Sequence, residues 1–282
     1  MPSRFSSGRA LPVVLGLAII ASFFGPLRPV ADGIAQVAAS ESASQPHREA
    51  ASSQLGLQLE PAAASAITAP AGPVVLREHP AVDCAQAKCV ALTFDDGPGP
   101  YTERLLDMLA SRGDVATFFM LGQNASRYPA TLVRMMAEGH QLANHTYDHA
   151  QLTALDAQQV ADEVDSTSKI IEQLTGMKPQ ALRPPYGAHN ALVDKASGMP
   201  LVLWDVDTLD WQHHDPDKTL KIAMKQVHPG SIILMHDIHE TSVQAVPRLL
   251  AKLEKKGYAL VTVDQLFAGQ ELKAGTAYAR RN

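Results

Sequence analysis

Two adjacent carboxylates, two histidines four residues apart and a further histidine closing an apolar run carry most of the chemistry in this chain. Asp95 and Asp96 stand in Thr93-Phe94-Asp95-Asp96-Gly97-Pro98, where an apolar run gives out. At a strand end, successive side chains point in different directions. One carboxylate can therefore bind a metal while the other takes a proton. Asp, Gly and Pro are also ordinary turn residues, so a solvated turn is the competing reading. His145 and His149 follow in His145-Thr146-Tyr147-Asp148-His149. Two imidazoles at this spacing reach one cation if the segment coils through roughly a helical turn. With a carboxylate from elsewhere they form a His₂Asp set, which suits a catalytic ion that keeps an open position. No Glu directly follows His145, so this is not the zincin helix signature. A pair of surface histidines is the alternative.

Three more groups fall after later apolar runs. In Arg183-Pro184-Pro185-Tyr186 the prolines fix the backbone, and the guanidinium can hold a carboxylate in a chosen orientation. Asp207, Asp210 and Trp211 form the next group, and Leu234-Met235-His236-Asp237 places an imidazole at the end of another run. Taken singly, each fits a cap or a core residue. Together they gather at one end of successive strands, where barrel and α/β active sites lie. His213 and His214 read as exposed loop residues, and His239 receives no role beyond a place near the rim. His140, His189 and His228 read as capping or packing residues, Asp237 as support for local hydrogen bonding, and Phe118-Phe119 as core strand.

Holding these groups together requires a scaffold of alternating elements. Short apolar runs place strands at 90–94, 116–120, 141–143, 181–183, 200–204, 231–235 and 259–261. Amphipathic stretches place helices at 102–111, 130–138, 157–174, 188–196, 218–226 and 243–256. Such βα repetition implies a parallel sheet with helices outside. The helix at 157–174 is the best defined. Asp156 and Gln159 fit a capping box, Leu155 and Val160 a hydrophobic staple, and Gly176 a stop. Val160, Val164, Thr167, Ile171 and Leu174 form its apolar face. About seven such units are compact for a full eight-stranded barrel. A smaller or incomplete barrel and an open doubly wound sheet both fit the pattern.

The 282 residues carry a net charge of −5 with 46% hydrophobic and 19% charged residues, a globular composition. There is no Lys/Arg excess of the kind that binds a phosphate backbone, so nucleic acid is not expected as a partner. Arg4 and Arg9 precede an uncharged apolar run at 10–27, which reads as a secretory signal, cleaved near Val37-Ala38-Ala39 or retained as an anchor. The stretch that follows is rich in Ala, Ser, Pro and Gln and reads as a flexible spacer. The expected division is 1–39 signal or anchor, 40–80 spacer, 81–270 catalytic domain and 271–282 short C-terminal tail. In an oxidising compartment Cys84 and Cys89 would close a short disulfide loop before the first strand, with free thiols as the alternative. A monomer is expected, since no heptad pattern appears.

At the level of motifs the sequence resembles the polysaccharide deacetylase family, also called the NodB-homology or carbohydrate esterase family 4 domain. Five recurrent motifs stand in order within 89–267: TFDDG at Thr93–Gly97, H[ST]xxH at His145–His149, RxPY at Arg183–Tyr186, DxxDW at Asp207–Trp211 and LxH at Leu234–His236. The resemblance implies a distorted (β/α)7-type barrel that removes acetyl groups from amino sugars with a divalent metal. It implies Asp95 as catalytic base, with Asp96, His145 and His149 as metal ligands. Arg183 would orient Asp95, and the Tyr186 backbone N–H would hold the oxyanion. His236 would be the general acid, tuned by Asp210, with Trp211 lining its surroundings. Zn²⁺ is the expected ion, with Co²⁺, Mn²⁺ or Ni²⁺ as alternatives. The expected substrate is an acetylated polysaccharide outside the cytoplasm, in a cell wall or periplasm, foremost N-acetylglucosamine units of peptidoglycan. Chitin oligomers and acetylxylan are the alternatives, and a non-catalytic wall-binding protein is the reading of a different class. Membrane contact is expected only through an N-terminal anchor.

Overall fold

The computed structural model describes residues 76–282. The signal or anchor read at 1–39, its cleavage point and the spacer up to residue 75 lie outside the described residues. Among the described residues no helix is long and apolar enough to cross a membrane.

The first half of the fold runs β1 (Lys88–Asp95), α1 (Thr102–Arg112), β2 (Thr117–Met120), α2 (Gly122–Arg127), α3 (Pro129–Ala137), β3 (Gln141–Asn144) and α4 (Ala157–Thr175). The second half runs α5 (Ala191–Ala196), β4 (Leu201–Val202), β5 (Val206–Asp207), α6 (Asp210–His213), α7 (Pro216–Gln226), β6 (Ile232–His236), α8 (Glu240–Lys255), β7 (Tyr258–Val261), α9 (Val263–Leu266) and β8 (Ala277–Tyr278). Every ladder between these strands is parallel. The main sheet is ordered β3-β2-β1-β6-β5, and β7 pairs with the lower half of β1. Leu182 bridges Asn144 on one side and Leu201 on the other, which carries the path from β3 to the β4–β8 pair. An antiparallel bridge between Arg280 and Ser231 returns it to the foot of β6. The α/β fold is thus a parallel sheet curled into a distorted barrel.

Alternation along β1 decides what faces where. Val90, Leu92 and Phe94 belong to the core between sheet and helices, whereas Cys89 and Ala91 pack in the inner cluster with Phe119, Ala143, Val202 and Ile232. With a side-chain period of two, Thr93 and Asp95 share the inner face. The sequence therefore turns Asp95 into the barrel at its open end.

Most expected elements are present, and α4 follows the sequence closely. Its capping box is formed, its apolar face is buried, and Gly176 ends it with φ 73°. The strand expected at 181–183 shrinks to one bridging residue, because Pro184 and Pro185 have no N–H to extend a ladder. The helix expected from 188 starts at Ala191, where the Asn190 side chain accepts from Leu192 N and Val193 N. The short elements α2, α6, α9, β5 and β8 had no period to reveal them. Cys84 and Cys89 form the disulfide, pinning the segment that enters β1. Residues 271–282, set apart in sequence as a tail, supply β8 against β4. His79, at the end of the sequence-read spacer, donates from Nε2 to Glu138 O at 2.8 Å.

Candidate active site

Arg183 is fully buried and organises the open end of the barrel. Its Nη1 donates to Asp95 Oδ1 at 2.6 Å and to Thr93 Oγ1 at 2.8 Å. Nε reaches Val202 O and Nη2 reaches Leu203 O, both at 3.0 Å, and the guanidinium lies 3.9 Å from the Phe119 ring centroid. Burial pulls the Arg183 pKa down from its ordinary value, and the Asp95 charge opposes the loss. An unpaired charge at this depth would be costly, so the two groups fix each other.

The same residue also orients a histidine. His145 Nδ1 lies 2.7 Å from Arg183 O. A carbonyl only accepts, so Nδ1 carries a proton, which leaves Nε2 as the ring atom able to offer a lone pair to a cation. That atom faces Asp96 Oδ1 at 3.4 Å, and His149 Nε2 lies 3.5 Å from the same oxygen. Asp96 Oδ1 is buried without a hydrogen-bond partner. Ligand atoms of Asp96, His145 and His149 all lie within 4.8 Å of one another. A carboxylate oxygen and two imidazole nitrogens converging on one point fit a divalent cation. Burial lowers the His149 pKa, with the neighbouring His145 adding to the effect, so its ring stays neutral and able to ligate. Burial raises the Asp96 carboxyl, but the positive charge of His236 across the cleft opposes this, and its pKa lies below the ordinary carboxylate value.

Across the opening, β6 is in register with β1, and Asp95 pairs with His236. His236 Nδ1 donates to Asp210 Oδ1 at 2.9 Å, and Asp210 Oδ2 accepts from His236 N at 2.8 Å. Burial disfavours charge on this imidazole, yet the hydrogen bond and charge of Asp210, helped by Asp95 and Asp96, push it up to about 9. His236 is therefore an imidazolium at neutral pH. Asp210 is itself buried, which raises its pKa, but His236 holds it below the usual carboxylate range.

Among the described residues, the non-glycine residues with positive φ are Asp96, Thr146, His149, Tyr186, Leu209 and His214. All six lie in the loops at the open end of the barrel. Left-handed backbone at such residues costs about 1–3 kcal/mol each and persists only where surrounding contacts enforce it. This rim is where the fold holds its strain.

These loops enclose a cleft of about 420 Å³, lined by Asp95, Asp96, His145, His149, Tyr186, Trp211 and His236 together with Trp204, Asp207 and Leu234. Arg183 and Asp210 lie behind its wall, 0% and 1% exposed. Trp204 was read only as the end of a strand, although an aromatic at that position was the signal. Phe119, beneath Arg183, was read only as core. His213 caps locally, with Nε2 donating to Thr208 O and Nδ1 accepting from Asp215 N. His214 and His239 stack edge to face, 4.8 Å between centroids, beside His236. His140, His189 and His228 bond to Ala116 N, Asp194 and Asp205 respectively, away from the cleft.

Comparison with known proteins agrees with this geometry. The polysaccharide deacetylase family profile matches residues 83–201. Peptidoglycan-N-acetylglucosamine deacetylase PgdA of Listeria monocytogenes is 40% identical over 192 residues, which cover 68% of this chain and 41% of that protein. A peptidoglycan-N-acetylglucosamine deacetylase of Bacillus cereus is 36% identical over 186 residues, covering 63% of this chain and 68% of the relative. The chain belongs to the polysaccharide deacetylase family. A solved structure described as T48 deacetylase with substrate shares 62% identity with this family member at a TM-score of 0.69, covering 70% of this chain and all of the other. The chain spans about two fifths of the length of PgdA.

Proposed function

We propose that this protein is a metal-dependent deacetylase that removes N-acetyl groups from N-acetylglucosamine units of peptidoglycan. One observation carries the reading. A carboxylate aimed by a buried arginine and a protonated imidazole flank the Asp96-His145-His149 set within one cleft. Hydrolysis of an amide needs a base for water, an acid for the departing amine and a centre of positive charge for the oxyanion.

Asp96, His145 and His149 would hold the ion, with Zn²⁺ preferred and Co²⁺, Mn²⁺ or Ni²⁺ as acceptable substitutes. Such an ion, when bound, polarises the acetamide carbonyl and lowers the pKa of its water toward about 7. Asp95 accepts the proton of the attacking water, and Arg183 keeps that carboxylate oriented. The Tyr186 backbone N–H donates to the developing oxyanion. His236 gives its proton to the leaving amine, and Asp210 keeps the imidazole charged and in place. Trp211 and Tyr186, 47% and 66% exposed, offer ring faces beside the opening for the sugar. The products are acetate and a glucosamine unit.

On this reading residues 1–39 export or anchor the chain, 40–80 space the catalytic part from its attachment, and a monomer works outside the cytoplasm on the wall. The peptidoglycan substrate draws its support from the PgdA and Bacillus cereus relatives. The test is acetate release by the purified protein from peptidoglycan, chitin oligomers and acetylxylan in parallel, with Zn²⁺ loaded. Release chiefly from peptidoglycan is expected. Release only from chitin or xylan overturns the substrate, and release from none overturns the deacetylase reading.

A further inference from the structure

The carboxyl group of Asp237 takes no part in the chemistry above, yet it is fully buried directly beneath the loop that carries Asp95 and Asp96. Asp237 follows His236, and β1 and β6 leave the sheet side by side from the paired residues Asp95 and His236. Immediately beyond that pair the two exits interlock. The Asp237 carboxyl lies flat against Gly97, where an added Cβ would overlap both carboxylate oxygens and approach the carboxyl carbon to 2.7 Å. A Cβ on Gly99 would likewise meet Ile238 Cγ2 at 2.9 Å. The Thr102 hydroxyl donates to Asp237 Oδ2 and accepts from Gly99 N at 2.8 Å, which ties the carboxyl to the first residue of α1. Asp237 Oδ1 has no hydrogen-bond partner.

We propose that Asp237 is a positioning residue. Its carboxyl is a strut that sets the 97–102 turn against the end of β6 and so fixes Asp96 and Asp95 relative to His236. The physical reason is proximity. Asp96 stands in left-handed backbone, φ 70°, one residue before Gly97. Only outside contacts keep it there. Groups behind metal-ligating residues commonly govern metal affinity and activity by about 10–100-fold when removed. Gly97 has an ordinary φ, so its need to be glycine comes from the carboxyl pressed against it.

The kinetic arm of the test rests on the deacetylase reading, whereas the metal-binding arm does not. In the full chain, Gly97→Ala, Asp237→Ala, the double variant and Asp237→Asn are compared by Zn²⁺ affinity in chelator competition and by kcat and KM for acetate release. Gly97→Ala and Asp237→Ala should each weaken Zn²⁺ binding and lower kcat by about 10-fold or more, with KM within about twofold. The double variant should recover much of the Gly97→Ala loss, because the new methyl enters the space the carboxyl left. Asp237→Asn keeps the acceptor for Thr102 and should stay within about threefold of wild type. Where Gly97→Ala does not fold, the contrast between Asp237→Ala and Asp237→Asn decides. Wild-type Zn²⁺ affinity in both alanine variants, or purely additive losses in the double variant, overturns the proposal. A wild-type protein that binds Zn²⁺ but releases no acetate counts against the deacetylase reading, and the Zn²⁺ affinities then decide the role of Asp237 alone.

Discussion

At the residue scale, the proposed mechanism divides proton work between a base and an acid that are held by different partners. Asp95 is locked to Arg183, and His236 is held as an imidazolium by Asp210. The sign of the pH dependence follows. The competent acid is the protonated ring, so activity persists below its pKa and is lost as pH rises through about 9. Asp210→Asn removes the main group that raises this pKa and leaves Asp95 and Asp96 to oppose the burial that lowers it. The alkaline limb should then move down toward the ordinary value near 6.5, and kcat at pH 8 should fall by up to about 30-fold. A pH profile of kcat for the two proteins checks this. Asp95→Asn should lower kcat by about 10²–10⁴-fold with Zn²⁺ affinity little changed, measured by acetate release and chelator competition. Much of this was legible in sequence, because the motif residues carry their chemistry in their types. The double use of Arg183 was not. Its carbonyl fixes the His145 tautomer while its side chain aims Asp95, and only the folded backbone brings those two ends to different partners.

At the element scale, legibility followed length. Helix α4 was readable from its cap to its stop because nineteen residues give periodicity room to show. Asp156→Ala should cost about 1 kcal/mol and lower Tm by roughly 2–4 °C without changing kcat, as thermal melts and kinetics will show. The two-residue strands β5 and β8 carry no pattern of their own and exist because the neighbouring backbone offers partners, whereas β4 lies within the run read at 200–204. The disulfide acts at the same scale, as a clamp on the entry to β1. Replacing Cys84 and Cys89 with Ser should cost about 2 kcal/mol, since the closed loop is short. Denaturant unfolding measures that loss, and the Asp96-His145-His149 set, at the far end of β1, should keep its affinity for added Zn²⁺.

At the scale of the whole molecule, βα repetition announced a parallel sheet but could not choose between an open sheet and a barrel. The choice rests on single bridges, Leu182 to its two neighbours and Arg280 to Ser231, which no sequence window encodes. That closure brings loops from five distant segments onto one rim, and the rim is what makes Asp96, His145 and His149 a set. The central claim is that this set holds the ion on which hydrolysis depends. The most direct measurement is acetate release from peptidoglycan by chelator-stripped protein as Zn²⁺ is added back. Activity should be absent without metal and rise to a plateau at one equivalent, with His149→Ala needing at least about tenfold more Zn²⁺. Full acetate release from the stripped protein, unchanged by Zn²⁺, would contradict it.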